Sequence, residues 1–160
     1  MLPLLFLSTG MNTNMANLDP ITHLQATLFS EGIKDNLKNF ENDATNIAQV
    51  MAKRFADPDR YGSGWDKVLN QGQFKGIDSP EYQKVISGKL TEDEQRYSNK
   101  ARQIAYMVGT GKIEAGDADH YVTLDYKHED KNDFSNLYPV THKTAGHRYM
   151  SEEQWDGKKF

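Results

Sequence analysis

Apolar residues recur along this chain at helical spacing, and the polar residues between them start and stop helices. Ile21, Leu24 and Leu28 share one face of a helix predicted over 20–31, with Asp19 as N-cap, Pro20 at the first helical position and Gly32 as the stop. Residues 32–42 are polar and read as a loop. Asp43 then reads as the cap of a second helix running to Phe55, with Ala44, Ile47, Ala48, Met51 and Phe55 on one face and Asp57-Pro58 as its end. A mobile loop is expected at 60–64, a short helical turn at 65–70 and another loop at 71–76. Ser79-Pro80 opens a third helix that ends at Ser87-Gly88. Thr91-Glu92-Asp93-Glu94 is a capping box, and the helix behind it carries Ile104, Met107 and Val108 and stops at Gly109–Gly111.

Beyond Asp117 the period changes. His120-Tyr121-Val122-Thr123-Leu124 reads as a strand, 125–138 as a polar loop and 139–150 as irregular chain. The predicted fold is mainly α (α+β): about five helices with a small C-terminal β or irregular flap. Residues 1–19 form an N-terminal arm and linker, 20–150 the folded domain, and 151–160 a charged tail expected as a surface extension. There is no internal repeat, no βαβ alternation and no phosphate-binding glycine loop.

Composition narrows the function classes. The 160 residues suffice for one domain. Hydrophobic content is 37% and charged content 26%, so the core is small, and the 11% aromatic share makes it aromatic-rich. A net charge of −4 argues against a general affinity for nucleic acid or anionic membrane. With no cysteine, disulfides, thiol catalysis and thiolate zinc sites are excluded. The apolar start, Met1–Leu7, lacks a basic n-region and is too short to span a bilayer, so neither a clear signal peptide nor stable membrane insertion is expected.

Three groups of residues could carry chemistry. Glu31 falls in the last turn of the first helix beside Phe29. There the negative end of the helix dipole and apolar neighbours both disfavour a charged carboxylate, so a raised pKa and a general-acid role are expected. A solvated Glu at a frayed helix end is the alternative. Tyr61, Trp65, Gln71, Gln73, Phe74 and Tyr121 supply the aromatic planes and amides that a sugar-binding groove needs, or else Trp65 and Phe74 are core. His120, His128, His142 and His147, with Asp117 and Asp119, could build a zinc site, but no pair has the helical H-x-x-x-H spacing. The acidic run 92–94 is explained by its place in a first helical turn.

Five segments in order, F-S-E-G (29–32), N-I-A-Q-V-M-A-K-R-F (46–55), Q-G-Q-F (71–74), A-D-H-Y-V-T (118–123) and G-H-R-Y (146–149), resemble the SleB-like cell-wall hydrolases, the spore-cortex-lytic enzymes and their phage and bacterial relatives. The resemblance spans roughly 20–150. It implies a lysozyme-related helical domain that cleaves peptidoglycan glycan strands between N-acetylmuramic acid and N-acetylglucosamine, as a lytic transglycosylase needing no cofactor and no metal. It makes Glu31 the acid/base, with Gln71, Gln73, Phe74, His120, Tyr121, Thr123 and His147 binding substrate. Two alternatives stay open: a zinc-dependent amidase or endopeptidase using His120, His142 or His147, and a virion structural or adaptor protein without turnover.

A compact domain with no clear export signal suggests a phage protein, either an endolysin released from the host cytoplasm to the periplasm and wall or a lysin carried in the virion. The acidic balance favours the virion, with the arm contacting other virion proteins. Six of the seven residues in Met1–Leu7 are apolar besides Pro3. Burying one such large side chain contributes roughly 1.5–3 kcal/mol, enough for several to anchor a subunit. Deletion of residues 1–15 is therefore expected to leave wall-cleaving activity in place while changing oligomeric state on a sizing column. A truncated protein that unfolds as a monomer would instead make the arm part of the core.

Overall fold

The computed structural model describes residues 19–70, 74, 79–127 and 137–157. The described residues form six helices and one three-stranded sheet: α1 (Pro20–Glu31), α2 (Leu37–Phe55), α3 (Pro58–Tyr61), α4 (Trp65–Asn70), α5 (Pro80–Ser87), α6 (Glu92–Gly109), β1 (His120–Thr123), β2 (Val140–Lys143) and β3 (His147–Met150). The protein is thus mostly helical with a small antiparallel sheet.

Helix α1 is the centre. Asp19 caps it by accepting from the Thr22 N–H at 2.9 Å, and every residue from His23 to Phe29 is buried. It packs against α6, α5 and α2. A helix enclosed on nearly all sides must satisfy its polar side chains internally, and α1 does so. His23 lies 2.8 Å from Tyr82 Oη and 2.9 Å from Asn70 Oδ1, while Gln25 donates to Ser98 Oγ at 3.0 Å and accepts from Arg102 at 3.0 Å. Leu24, Leu28, Phe29, Ile47, Met51, Ala101 and Ile104 fill the space between these helices.

The second helix begins earlier than its sequence suggests. Asn36, not Asp43, is the N-cap, accepting from the Asn39 N–H at 2.8 Å. Its first two turns carry Lys38, Glu41 and Asn42 outward and hold on by Leu37 and the fully buried Phe40, an apolar period too sparse to stand out. Asp43 sits inside the helix and is itself buried. At the other end Phe55 leaves the core face: it is exposed and stacks on Trp65 with ring centroids 4.3 Å apart. Met107 is likewise exposed. The expected loop at 60–64 begins with the end of α3, whose Pro58 occupies the first turn and whose Tyr61 is buried.

The stretch 139–150, expected to be irregular, forms β2 and β3. The sheet order is β1-β3-β2, all antiparallel, with a shift in register between Val140 and His142. Tyr121 stands opposite Tyr149 and Thr123 opposite His147, so alternation puts these four side chains on one face. His120 and Met150 point to the other face.

The start of the charged tail is tied to the domain, while Glu153, Gln154, Asp156 and Gly157 stay exposed. Ser151 is buried, and the Asp119 carboxylate accepts from the backbone N–H of Glu152 at 2.8 Å and of Glu153 at 3.2 Å. Lys53 pairs with Glu153 at 2.8 Å, and Arg60 with Glu152. Asp119 is thus a buried clamp that loses three donors if truncated, since His120 Nδ1 also lies 2.8 Å from it. Asp119→Ala is expected to cost about 3 kcal/mol, the scale for breaking a buried charged contact, and to expose residues 151–157 to protease. A urea midpoint equal to wild type would remove that role.

Candidate active site

Glu31 is the last residue of α1, partly buried where the helix end meets the sheet. The Tyr121 hydroxyl, from β1, donates to Glu31 Oε1 at 3.1 Å. Around the Tyr121 ring stand His147 (centroids 5.1 Å, edge to face), Tyr149 (5.7 Å, tilted) and Phe74 (6.3 Å, tilted). Phe74 is buried, and the Arg54 guanidinium lies 5.0 Å from its ring and 5.2 Å from the Tyr61 ring. Arg54 is held in turn by donating from Nε to the Asp119 carbonyl at 2.9 Å. Residues 90 positions apart in the chain thus converge on one carboxylate.

The helix end is not bare. The Lys34 ammonium reaches back to the carbonyls of Phe29 and Gly32 and sits 4.8 Å from the Phe29 ring. A cation there offsets the negative end of the α1 dipole. Burial holds the Lys34 amine below its usual range, although Glu81 and Glu31 pull the other way. For Tyr121, burial first and the Glu31 charge second push the phenol well above its ordinary value, so its hydroxyl stays a donor across the working range.

Behind this front stands Asp43, wholly buried. Its carboxylate accepts from Thr144 Oγ1 at 2.6 Å, from Tyr149 Oη at 2.8 Å, from His147 Nδ1 at 2.9 Å and from the Ile33 N–H at 2.9 Å. Gly146 is required for this fit: a Cβ there would lie 2.8 Å from Asp43 Oδ2 and 2.8 Å from Ile33 Cβ. His142 closes the outer side, stacked on Tyr149 at 4.7 Å and bonded through Nε2 to Asn46 Oδ1 at 2.7 Å. Burial also pushes the Tyr149 phenol far up, reinforced by the Asp43 charge.

Of the residues the sequence singled out, Glu31, Phe74, Tyr121 and His147 come together, and Thr123 lies exposed at the same sheet face opposite His147. His120 does not join them. It lies on the other face of β1, bonded to Asp119, 3.5 Å from Glu152 and edge-on to Tyr138 at 5.0 Å. Trp65 is partly buried against Phe55. Gln71, Gln73, His128 and the arm Met1–Leu7 lie outside the described residues. The depression of about 530 Å³ between α2 and Lys100 and that of about 350 Å³ beside Arg60 do not include Glu31. His120, His142 and His147 go to separate partners, and among the described residues no group of three His, Cys, Asp or Glu is placed to hold a metal ion. Among the same residues no helix is long and apolar enough to cross a membrane.

Asp43, Thr144, Tyr149 and Arg54 were missed as site residues. Asp43 resembled a helix cap, and its one signal was the segment G-H-R-Y, whose glycine, histidine and tyrosine all meet its carboxylate or the space beside it. No family model, curated protein or solved structure matches the chain.

The two buried aspartates contribute to the acid limb of stability, alongside Glu94, whose carboxyl the Thr91 N–H and Lys84 hold down to about 2. For Asp43, burial alone would raise the pKa, but the hydrogen bonds from His147 and Thr144, the His147 charge and the Ile33 N–H outweigh it, and the carboxyl ends below its ordinary 3.8. For Asp119, burial is likewise outweighed by the His120 hydrogen bond and charge and by the Glu153 N–H. A depressed folded value contributes stability that is complete well above the unfolded value and is lost as pH falls through the folded one. Urea midpoints are therefore expected to decline below about pH 5 and to keep falling through pH 3. A profile flat down to pH 3 would contradict ionised, bonded aspartates.

Proposed function

We propose that this chain cleaves the glycan strands of bacterial peptidoglycan between N-acetylmuramic acid and N-acetylglucosamine, as a lytic transglycosylase built on a lysozyme-related helical domain. The observation that carries the reading is the hydrogen bond from Tyr121 to Glu31 inside an aromatic cluster, because it brings the segments F-S-E-G and A-D-H-Y-V-T together at one carboxylate, with Phe74 and the His147 of G-H-R-Y against the Tyr121 ring. A partly exposed tyrosine whose hydroxyl positions a carboxyl suits the approach of a glycosidic oxygen to be protonated.

In the proposed reaction Glu31 gives its proton to the glycosidic oxygen as the bond to the muramyl C1 breaks. The resulting carboxylate then takes the proton of the muramyl 6-hydroxyl as O6 attacks C1, closing a 1,6-anhydro ring with no water consumed. One carboxyl serves both steps. A hydrolase would need a second carboxylate to activate water or attack C1. The other acidic groups near these segments are poorly suited to that: Asp43 and Asp119 are buried and each receives at least three donors, and Asp117 is exposed on the segment leading to β1. A phage origin, as an endolysin or a virion-associated lysin, fits the net charge of −4 and the apolar arm.

Glu31→Gln is nearly isosteric and keeps an oxygen for the Tyr121 hydroxyl, so wall clearing on a zymogram is expected to fall to background with the thermal midpoint unchanged. Mass analysis of wild-type digests is expected to give 1,6-anhydro-muramyl ends, with activity insensitive to chelators. Clearing that survives in the Gln variant would remove Glu31 from the mechanism. Free stem peptides with chelator sensitivity would point to a zinc amidase, and no clearing by wild type to an adaptor without turnover.

A further inference from the structure

We propose that Asp43 is the positioning residue of this site, setting from within the core where the Glu31 carboxylate stands. Two physical routes connect them. Along the backbone, Asp43 Oδ2 accepts from the Ile33 N–H at 2.9 Å, two residues beyond Glu31, and so holds the chain as it leaves α1. Through side chains, Asp43 binds His147 and Tyr149, both rings pack on Tyr121, and Tyr121 donates to Glu31 Oε1. Because Asp43 accepts from Nδ1, that nitrogen carries the hydrogen and His147 is held in one tautomer with its ring edge-on to Tyr121.

A buried carboxylate is not needed for stability as such, since well-packed apolar residues often replace a buried charge without loss. What an ionised group offers here is direction. Its two oxygens receive four donors from three separate segments, the turn after α1, the β2–β3 turn and β3 itself. Gly146 keeps the space beside Oδ2 clear. The part of the inference that concerns turnover rests on Glu31 being the acid. The part that concerns geometry does not.

The test uses the full chain with Asp43→Asn, and with Tyr149→Phe as the milder variant that keeps the ring on Tyr121 but removes one donor. NMR reads the His147 ring nitrogens, the Tyr121 ring and the Glu31 carboxyl carbon, and kinetics on isolated peptidoglycan give kcat and KM. In Asp43→Asn the single His147 tautomer is expected to be lost and the Tyr121 and Glu31 signals to move. There kcat is expected to fall about tenfold to a hundredfold, the cost of misplacing a reacting group by an ångström or less, with KM within twofold. Tyr149→Phe shifts the same signals by less, and it carries the test if the Asn variant does not fold. Tyr121 and Glu31 signals unchanged while the His147 signals move would overturn the proposal and leave Asp43 a purely structural residue. If the wild type shows no turnover, the assigned activity fails, and the NMR shifts still decide whether Asp43 positions Glu31.

Discussion

Taking a carboxylate out of water carries an effective penalty of several kcal/mol, and Asp43 has no exposed surface at all. Hydrogen bonds to a charged group contribute roughly 1.5–3 kcal/mol each, so the four that Asp43 receives are of the size needed to offset that penalty. The requirement propagates outward. The chain after α1 must turn so that the Ile33 N–H points inward, the β2–β3 turn must bring Thr144 close, and β3 must present His147 and Tyr149 on the same face. Each of these conditions shapes the surroundings of Glu31.

Strands of four residues in a three-stranded sheet have little stability of their own, and two buried aspartates tie this sheet to the helices. Asp43 reaches its inner face from α2. Asp119 precedes β1 and gathers His120 and the backbone of Glu152 and Glu153, while its carbonyl receives Arg54 from the end of α2. Arg54 then lies against Phe74 and Tyr61, so the aromatic side of the site is held by a cation that is itself held from the sheet. Sheet, tail and α2 are in this way parts of one hydrogen-bonded frame, and Tyr121 projects from it onto the end of α1.

The enclosure of α1 fixes the backbone that carries Glu31 at its end. Seven consecutive buried residues hold the helix on several sides, and its internal polar groups are satisfied by α4, α5 and α6. A side chain on the last turn of such a helix inherits a fixed backbone, which sites on rigid elements exploit. Lys34 completes the helix end from the following turn, so cation and carboxylate come from one chain reversal, and the Tyr121 phenol reaches the carboxylate from β1.

The pattern of the sequence alone determined the helices that carry strong local signals: Asp19-Pro20 for α1, Ser79-Pro80 for α5, the Thr91 capping box for α6, and the alternation at His120–Thr123 for β1. These are contacts within three or four residues, which spacing encodes directly. Glu31, Phe74, Tyr121 and His147 were legible as candidates for the same reason: they belong to short segments of recognisable chemistry. The start of α2 was not legible, because its anchor is Phe40 packed edge-on to Tyr97, a contact between residues far apart in the chain. Nor were β2 and β3, whose pairing depends on each other and on Asp43. Asp43 read as a helix cap and proved a buried hub, and His120 read as a groove residue and proved part of the Asp119 clamp. For Phe40, Asp43 and His120 the outcome turns on burial and on partners in other parts of the chain, such as Tyr97, Tyr149 and Glu152, and those contacts exist only once the chain has folded.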